Sequence, residues 1–297
     1  MLMTLEQINN FLTDFNIKKL ISFIQLPKTT SGNDSYAIKT GDNERYVLRT
    51  LVRQTPLGAE NEYKIQLALR AANITCPIYI FSNYGNIVAS RNGFNVVVSQ
   101  HIEGSPQSED TIELAGDMAS TLASIHDSLA NVTIAANQQQ WFNMTNVLHQ
   151  LEHYHGPDKI FLERETFRYS IILNKDLPKA LTHGDFHTNN VFSDMDKVTA
   201  VFDFESAEYT IRILDIARLY LTYIKMTNLE PEAVLEVIIR NYSQASTLSL
   251  TAHEIAELNN AFIYVALVSS VSIYNHGNTY SSEKYLVIAK SLIAESQ

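Results

Sequence analysis

Cysteine is nearly absent: Cys76 is the single one in 297 residues. No disulfide can form within the chain, and a reducing compartment is the natural setting. Cys76 directly precedes Pro77 in an apolar stretch, which suits a buried structural thiol better than a nucleophile. Basic residues are also in deficit. Lys and Arg number 22 against 32 Asp and Glu, giving a net charge of −10 and a pI near 5.4. That balance disfavours nucleic acid as a partner, because a phosphate backbone needs clustered cations. It leaves a nucleotide open, which needs only a few local donors and a metal. Long apolar runs are missing too. The richest, 261–271, is too short to span a bilayer, and the N-terminus has neither the basic region nor the apolar core of a signal peptide. The expectation is a cytoplasmic protein with no membrane partner. There is no internal repeat and no low-complexity tract. What is present, 45% hydrophobic and 18% charged residues, is the composition of a globular chain with a sizeable core.

Leu5, Ile8, Phe11, Leu12 and Phe15 recur at helical spacing and predict a helix over 5–15. Strands are expected at 21–26, 35–39 and 45–51, the last two joined by a hairpin turn at 40–43, with a polar turn at 29–35 centred on Gly32. A helix at 60–72 and strands at 77–81, 87–90 and 94–102 follow. Beyond a Gly/Pro-containing link the pattern becomes helical, near 108–129, 138–154, 160–174, 212–226, 231–243, 251–275 and 281–294. A short β interlude at 190–204 interrupts it. The expected fold class is α+β, with a small antiparallel β lobe at 1–99, a hinge at 100–104 and a large helical lobe at 105–297. Two such lobes would enclose a cleft, where ligands usually bind.

The chemistry is concentrated in Leu181-Thr182-His183-Gly184-Asp185-Phe186-His187-Thr188-Asn189-Asn190-Val191 and Val201-Phe202-Asp203-Phe204-Glu205. Phosphoryl transfer needs a carboxylate to receive the proton of the attacking hydroxyl. It also needs oxygen ligands for the metal that offsets phosphate charge. A His-x-Asp, an Asn five residues on and an Asp-Phe after a hairpin supply these parts. Asp194-Met195-Asp196-Lys197 is the expected turn that returns Asp203 towards Asn190. A lone His-x-Asp would be weak, since it arises often by chance. The combined set, flanked by apolar strand residues, is specific.

With Leu214-Asp215-Ile216-Ala217, these segments resemble the aminoglycoside phosphotransferase and choline kinase superfamily, which includes the type II homoserine kinases and methylthioribose kinase. The resemblance extends over nearly the whole chain. Gly32-Asn33-Asp34-Ser35-Tyr36 and Arg45-Tyr46-Val47-Leu48-Arg49 are similar to the family's phosphate loop and third strand. Residues 96–104 are similar to its hinge strand and Leu122-Ala123-Ser124-Ile125-His126 to its "Leu-x-x-Leu-His" helix. The C-terminal segments resemble those of homoserine-kinase-like members. The resemblance implies a protein-kinase-like two-lobe fold and ATP and Mg²⁺ as cofactors. It implies Asp185 as catalytic base, Asn190 and Asp203 as metal ligands, and His183 and Asp215 as braces of the loop, Asp215 also capping its helix. The nucleotide would meet Gly32, Ser35, Arg49, Glu62, Gln100 and Ile102. Arg49 stands where many members carry lysine, and its helical partner is Glu62 or Glu60. Only one glycine lies in the phosphate loop, and that segment alone reads equally well as an ordinary polar turn. His187 could contact substrate or fill the loop.

A protein kinase is disfavoured. No Arg separates His183 from Asp185, Glu205 rather than Gly follows Asp203-Phe204, and Arg218, fifteen residues beyond Asp203, already lies in a helical pattern. That leaves no long activation segment, and no Ala-Pro-Glu follows. The implied reaction moves the γ-phosphoryl group to a hydroxyl of a small molecule such as homoserine, choline or another amino alcohol. An aminoglycoside acceptor is the nearest rival, and a catalytically silent nucleotide-binding protein is the reading from another class. Tyr154, Tyr220, Tyr223, Tyr264 and Tyr274 could cradle a quaternary amine, but at helical spacing they suit a core.

Overall fold

The computed structural model describes residues 3–26, 32–52, 54–106, 110–135 and 140–296. Parts of the expected turn at 29–35 and of the helices expected from 108 and 138 lie outside the described residues. Two compact units divide the chain, Met1–Glu103 and Gly104–Gln297.

In the first unit, α1 (Leu5–Asp14) opens with a capping box between Thr4 and Gln7. Five strands form one antiparallel sheet: β1 (Leu20–Gln25), β2 (Ser35–Thr40), β3 (Arg45–Thr50), β4 (Ala89–Arg91) and β5 (Phe94–Gln100), in the order β1-β2-β3-β5-β4. Strand alternation sends Val96 and Val98 to one core with Phe11, Leu12, Tyr36, Ile38 and Leu48. Val97 goes to another core with Leu51, Ala59, Tyr79 and Ile87. β5 is thus buried on both faces, which explains its unbroken valine run.

Helix α2 (Pro56–Ala71) starts four residues before the expected 60. Thr55 caps it by accepting from the Gly58 N–H at 3.1 Å, and Pro56 at its first turn is pre-set for the helix. Glu62 therefore lies well inside the helix, where the dipole no longer explains it. The strand expected at 77–81 reduces to a bridge of Tyr79 to Ser99, with Pro77 unable to donate to a ladder.

The second unit contains α3 (Ile112–Ser128), α4 (Met144–His153), α5 (Lys159–Tyr169), α6 (Ile213–Met226), α7 (Pro231–Ala245), α8 (Ala252–Asn275) and α9 (Thr279–Glu295). Two antiparallel strand pairs lie among them: β6 (Lys179–Thr182) with β9 (Glu208–Ile211), and the hairpin of β7 (Val191–Asp194) with β8 (Lys197–Val201). The β6–β9 pair was not expected, because four-residue strands are too short to show a period. Helix α8 is long and apolar enough to cross a membrane by length and composition, a property the 261–271 run alone does not show. It packs instead against α9, α6, α5 and α4, and 78% of its most apolar window is buried, as in a core helix. Tyr154, Tyr220, Tyr223 and Tyr264 are buried.

Candidate active site

Strand β6 ends at Thr182, and the chain leaves it through a buried turn. His183 is fully buried, and its Nε2 donates to the Phe202 carbonyl at 2.9 Å. Its Nδ1 accepts the Asp185 N–H at 3.3 Å, so the ring is the neutral Nε2–H tautomer. Burial lowers its pKa against the pull of Asp215 and Asp185. The imidazole therefore spans the loop and the end of β8 and holds no spare site for a proton. Gly184 has φ +82°, and a Cβ there would lie 2.2 Å from the Ser206 carbonyl oxygen, so only glycine fits the turn.

Asp215 secures this turn from α6. Its Oδ2 accepts the His183 N–H at 2.6 Å and its Oδ1 the Gly184 N–H at 2.9 Å. His126 on α3 lies 3.0 Å from Oδ2 through Nε2 and 2.7 Å from the Tyr242 hydroxyl through Nδ1. The helix-capping part of the Asp215 expectation does not describe the structure. Arg212 is the N-cap residue and no side chain caps the helix, because the carboxylate is committed to the loop. Asp215 is wholly buried and could not serve both.

Asp185 follows the turn. Asn190 Nδ2 donates to its carbonyl at 2.9 Å, which leaves the Asn190 Oδ1 as the oxygen available to a ligand. His187 Nδ1 accepts the Asn189 N–H at 3.2 Å, and its Nε2 lies 3.4 Å from Asp185 Oδ2. On the other oxygen, Arg218 Nε donates to Oδ1 at 2.8 Å. Burial alone would raise the Asp185 pKa. The charge of Arg218, then that of His187, outweighs it and holds the carboxyl far below the usual carboxylate range. Asp203 stands at the far end of the β7–β8 hairpin. The Phe202 N–H donates to the Asn190 carbonyl at 2.9 Å, which returns Asp203 to the Asn190 end. Its backbone is left-handed, φ 68° and ψ 64°, a conformation in which Asp is enriched among non-glycine residues.

In the first unit Arg49 meets Glu62, Nη2 to Oε2 2.5 Å, with side chains 17% and 4% exposed. The Tyr79 hydroxyl joins both, and Gln54 bridges them at 3.1 and 3.0 Å. Glu60 is exposed, so Glu62 is the partner. Ser35 lies opposite Arg49 across β2–β3. Gly32 has φ +78°, a backbone conformation that favours glycine. Gln100 sits opposite Tyr46, three residues along β5 from the partner of Arg49, roughly 10 Å away at strand rise. Ile102 is half-buried beyond the strand end. Burial pushes the Cys76 thiol up to about 12, which makes it inert.

Arg218, Tyr285 and the His126–Asp215 contact were missed from sequence. An arginine within Ile213-Leu214-Asp215-Ile216-Ala217-Arg218-Leu219 was the available signal, since a charge on an apolar helix face demands a buried partner. Glu208 was missed as well. Burial pushes its carboxyl up to about 8 from 4.5, against the Phe142 N–H that donates to Oε1 at 2.8 Å and with a further push from Asp215. Between those two values the folded chain keeps a proton that the unfolded chain has released, so this group's stabilising effect fades as pH rises. Glu208→Gln keeps an acceptor for Phe142 and has no proton to lose. Its urea midpoint is expected to vary less from about pH 5 to 8 than that of the wild type. Parallel curves would refute the assignment.

With this geometry in view, the chain matches the family model described as "Phosphotransferase enzyme family" over residues 24–253, and it belongs to that family. It is 26% identical over 224 residues to the homoserine kinase of Methylobacillus flagellatus (strain ATCC 51484 / DSM 6875 / VKM B-1610 / KT). That match covers 71% of this chain and 66% of the relative's own length. Among solved structures, an amicoumacin kinase in complex with AMP-PNP and Ca²⁺ superposes with TM-score 0.77 at 14% identity, covering 92% of this chain and 88% of that one. A microcompartment-associated aminopropanol kinase superposes with TM-score 0.75 at 16% identity over 98% of both chains. At such identities the likeness establishes the kinase-like α+β fold.

Proposed function

We propose that the protein is an ATP- and Mg²⁺-dependent small-molecule kinase acting in the cytoplasm on an alcohol-bearing metabolite. The observation that carries this reading is Asp185, steadied through one oxygen by Arg218 and through its backbone by Asn190. In it, residues 1–99 hold the nucleotide, 100–104 link, and 105–297 present the catalytic loop and the acceptor. Asp185 Oδ2, the oxygen not held by Arg218, receives the acceptor's hydroxyl proton. The acceptor oxygen bonds to the γ-phosphorus, the bond from that phosphorus to the bridging oxygen breaks, and ADP leaves. Little covalent work falls to the protein in such a transfer, so a strongly basic carboxylate is not required and orientation matters most.

The oxygens of Asn190 and Asp203 suit a hard cation, and the committed Asn190 Nδ2 leaves its Oδ1 for that use. Mg²⁺ bound there would offset charge on the phosphates. Arg49, steadied by Glu62, Tyr79 and Gln54, would grip phosphate with a planar fork in place of lysine. Gly32 and Ser35 would lie along the phosphates, and Gln100 and Ile102 along the base. His183 and Asp215 act by holding the loop.

Acceptor-dependent release of ADP tests the reading. Across amino alcohols, hydroxy amino acids, sugars and aminoglycosides, at least one class is expected to release ADP above the acceptor-free rate and to yield a phosphate ester by ³¹P NMR. Binding of ATP·Mg²⁺ with no ester from any class would favour the silent nucleotide-binding reading instead.

A further inference from the structure

Arg218 is built into the second unit more firmly than one ion pair requires. Its side chain is 7% exposed, and Nε donates to Asp185 Oδ1 at 2.8 Å. Nη1 donates to the Tyr285 hydroxyl, from α9. The guanidinium carbon lies 5.6 Å from the ring centre of Trp141 and 5.5 Å from that of Tyr285. Phe142, next to Trp141, is pinned in turn. Its N–H donates to Glu208, and its carbonyl accepts from the Tyr264 hydroxyl at 3.0 Å. The arginine is thus fixed through two of its own donors and beside two rings.

Its third nitrogen is different. Among the described residues Nη2 has no hydrogen-bond partner, and it is not sealed from solvent. Nη2 shares with Nε the guanidinium edge that faces Asp185. A second cation stands close by, Lys225 Nζ at 4.3 Å from the Tyr285 ring centre. A nearly buried guanidinium with one unpartnered donor beside a base is suited to an anion, and its planar fork suits a carboxylate.

We propose that Arg218 Nη2 is the anion subsite of the phosphate acceptor, so that the acceptor class is a hydroxyl-bearing carboxylic acid, most simply a hydroxy amino acid. This rests on the kinase reading above and narrows it. The acceptor's hydroxyl lies at Asp185 Oδ2 while its carboxylate, a few bonds away, lies on Nη2. Uncharged sugars and amino alcohols supply no anion and forgo that contact. A charge-assisted hydrogen bond of this kind corresponds to about 10- to 100-fold in kcat/KM.

L-homoserine and 3-amino-1-propanol differ only in the carboxylate and make the test. Wild-type enzyme is expected to prefer the first by about tenfold or more in kcat/KM. Arg218→Gln lowers turnover of both, since Asp185 loses its support, and the ratio between them is the readout. It is expected to collapse towards one. In Tyr285→Phe the charge remains and the preference is expected to persist. Should Arg218→Gln fold poorly, Arg218→Lys, which loses the fork, is expected to reduce the ratio. Equal use of the two acceptors by the wild type, preference for the amino alcohol, or an unchanged ratio in the Arg218 variants overturns the subsite and leaves the kinase reading standing. Absence of phosphate ester from either acceptor, or from any other class, removes the kinase reading and this subsite with it.

Discussion

Asp185→Asn is expected to lower phosphorylation of the acceptor by about 10²- to 10⁴-fold, the usual contribution of a positioned proton acceptor, while nucleotide affinity stays near the wild-type value. Asparagine matches the carboxylate in shape and its oxygen can still accept from Arg218, but it carries an NH2 group in place of Oδ2 and cannot take up a proton there. The substitution also leaves the buried Arg218 without its counter-charge, so some loss of stability accompanies it. Two measurements separate these effects. ADP release under saturating acceptor reports chemistry, and calorimetric titration with ATP·Mg²⁺ reports the nucleotide. An Asp185→Asn enzyme within about fivefold of wild-type turnover would remove Asp185 from the mechanism. A large loss of nucleotide binding would show instead that the side chain serves the phosphates.

The second large effect falls on folding. Asp215→Ala is expected to cost about 3–5 kcal/mol, the range for removing one partner from a buried, hydrogen-bonded charged group. Asp215 is wholly buried and receives the His183 and Gly184 N–H groups, with His126 Nε2 at its Oδ2. Alanine leaves all three unpaired, each at about 1–3 kcal/mol of lost solvation. Urea unfolding is the check, with the midpoint falling at an unchanged slope. A loss below about 1 kcal/mol would mean that water or another group satisfies the loop. Asp215→Asn, which keeps one acceptor oxygen, is expected to lie between the two.

The sequence was legible where structure is local. The apolar run of β5, the helical period of α1 and the turn at 194–197 all depend on neighbours within a few residues. So does the cluster from His183 to Asn190, whose members share one turn and one hairpin. The Thr55-Pro56 signal at the start of α2 was also local, and the expected start at 60 overlooked it. The β6–β9 pair was different. Thr182 and Glu208 face each other across 26 residues, and neither strand is long enough to announce its partner.

The sequence by itself determined the family, because the residues that carry the resemblance, from His183 to Glu205, lie close together along the chain. Only the tertiary structure decided what holds Asp185 in place and which donor remains unspent. Arg218 reaches Asp185 across 33 residues and Tyr285 across 67, and His126 meets Asp215 across 89. No local period encodes such contacts. They form because burying each charged or polar side chain obliges it to find a partner, and the packing of α3, α6 and α9 selects which partner is in reach.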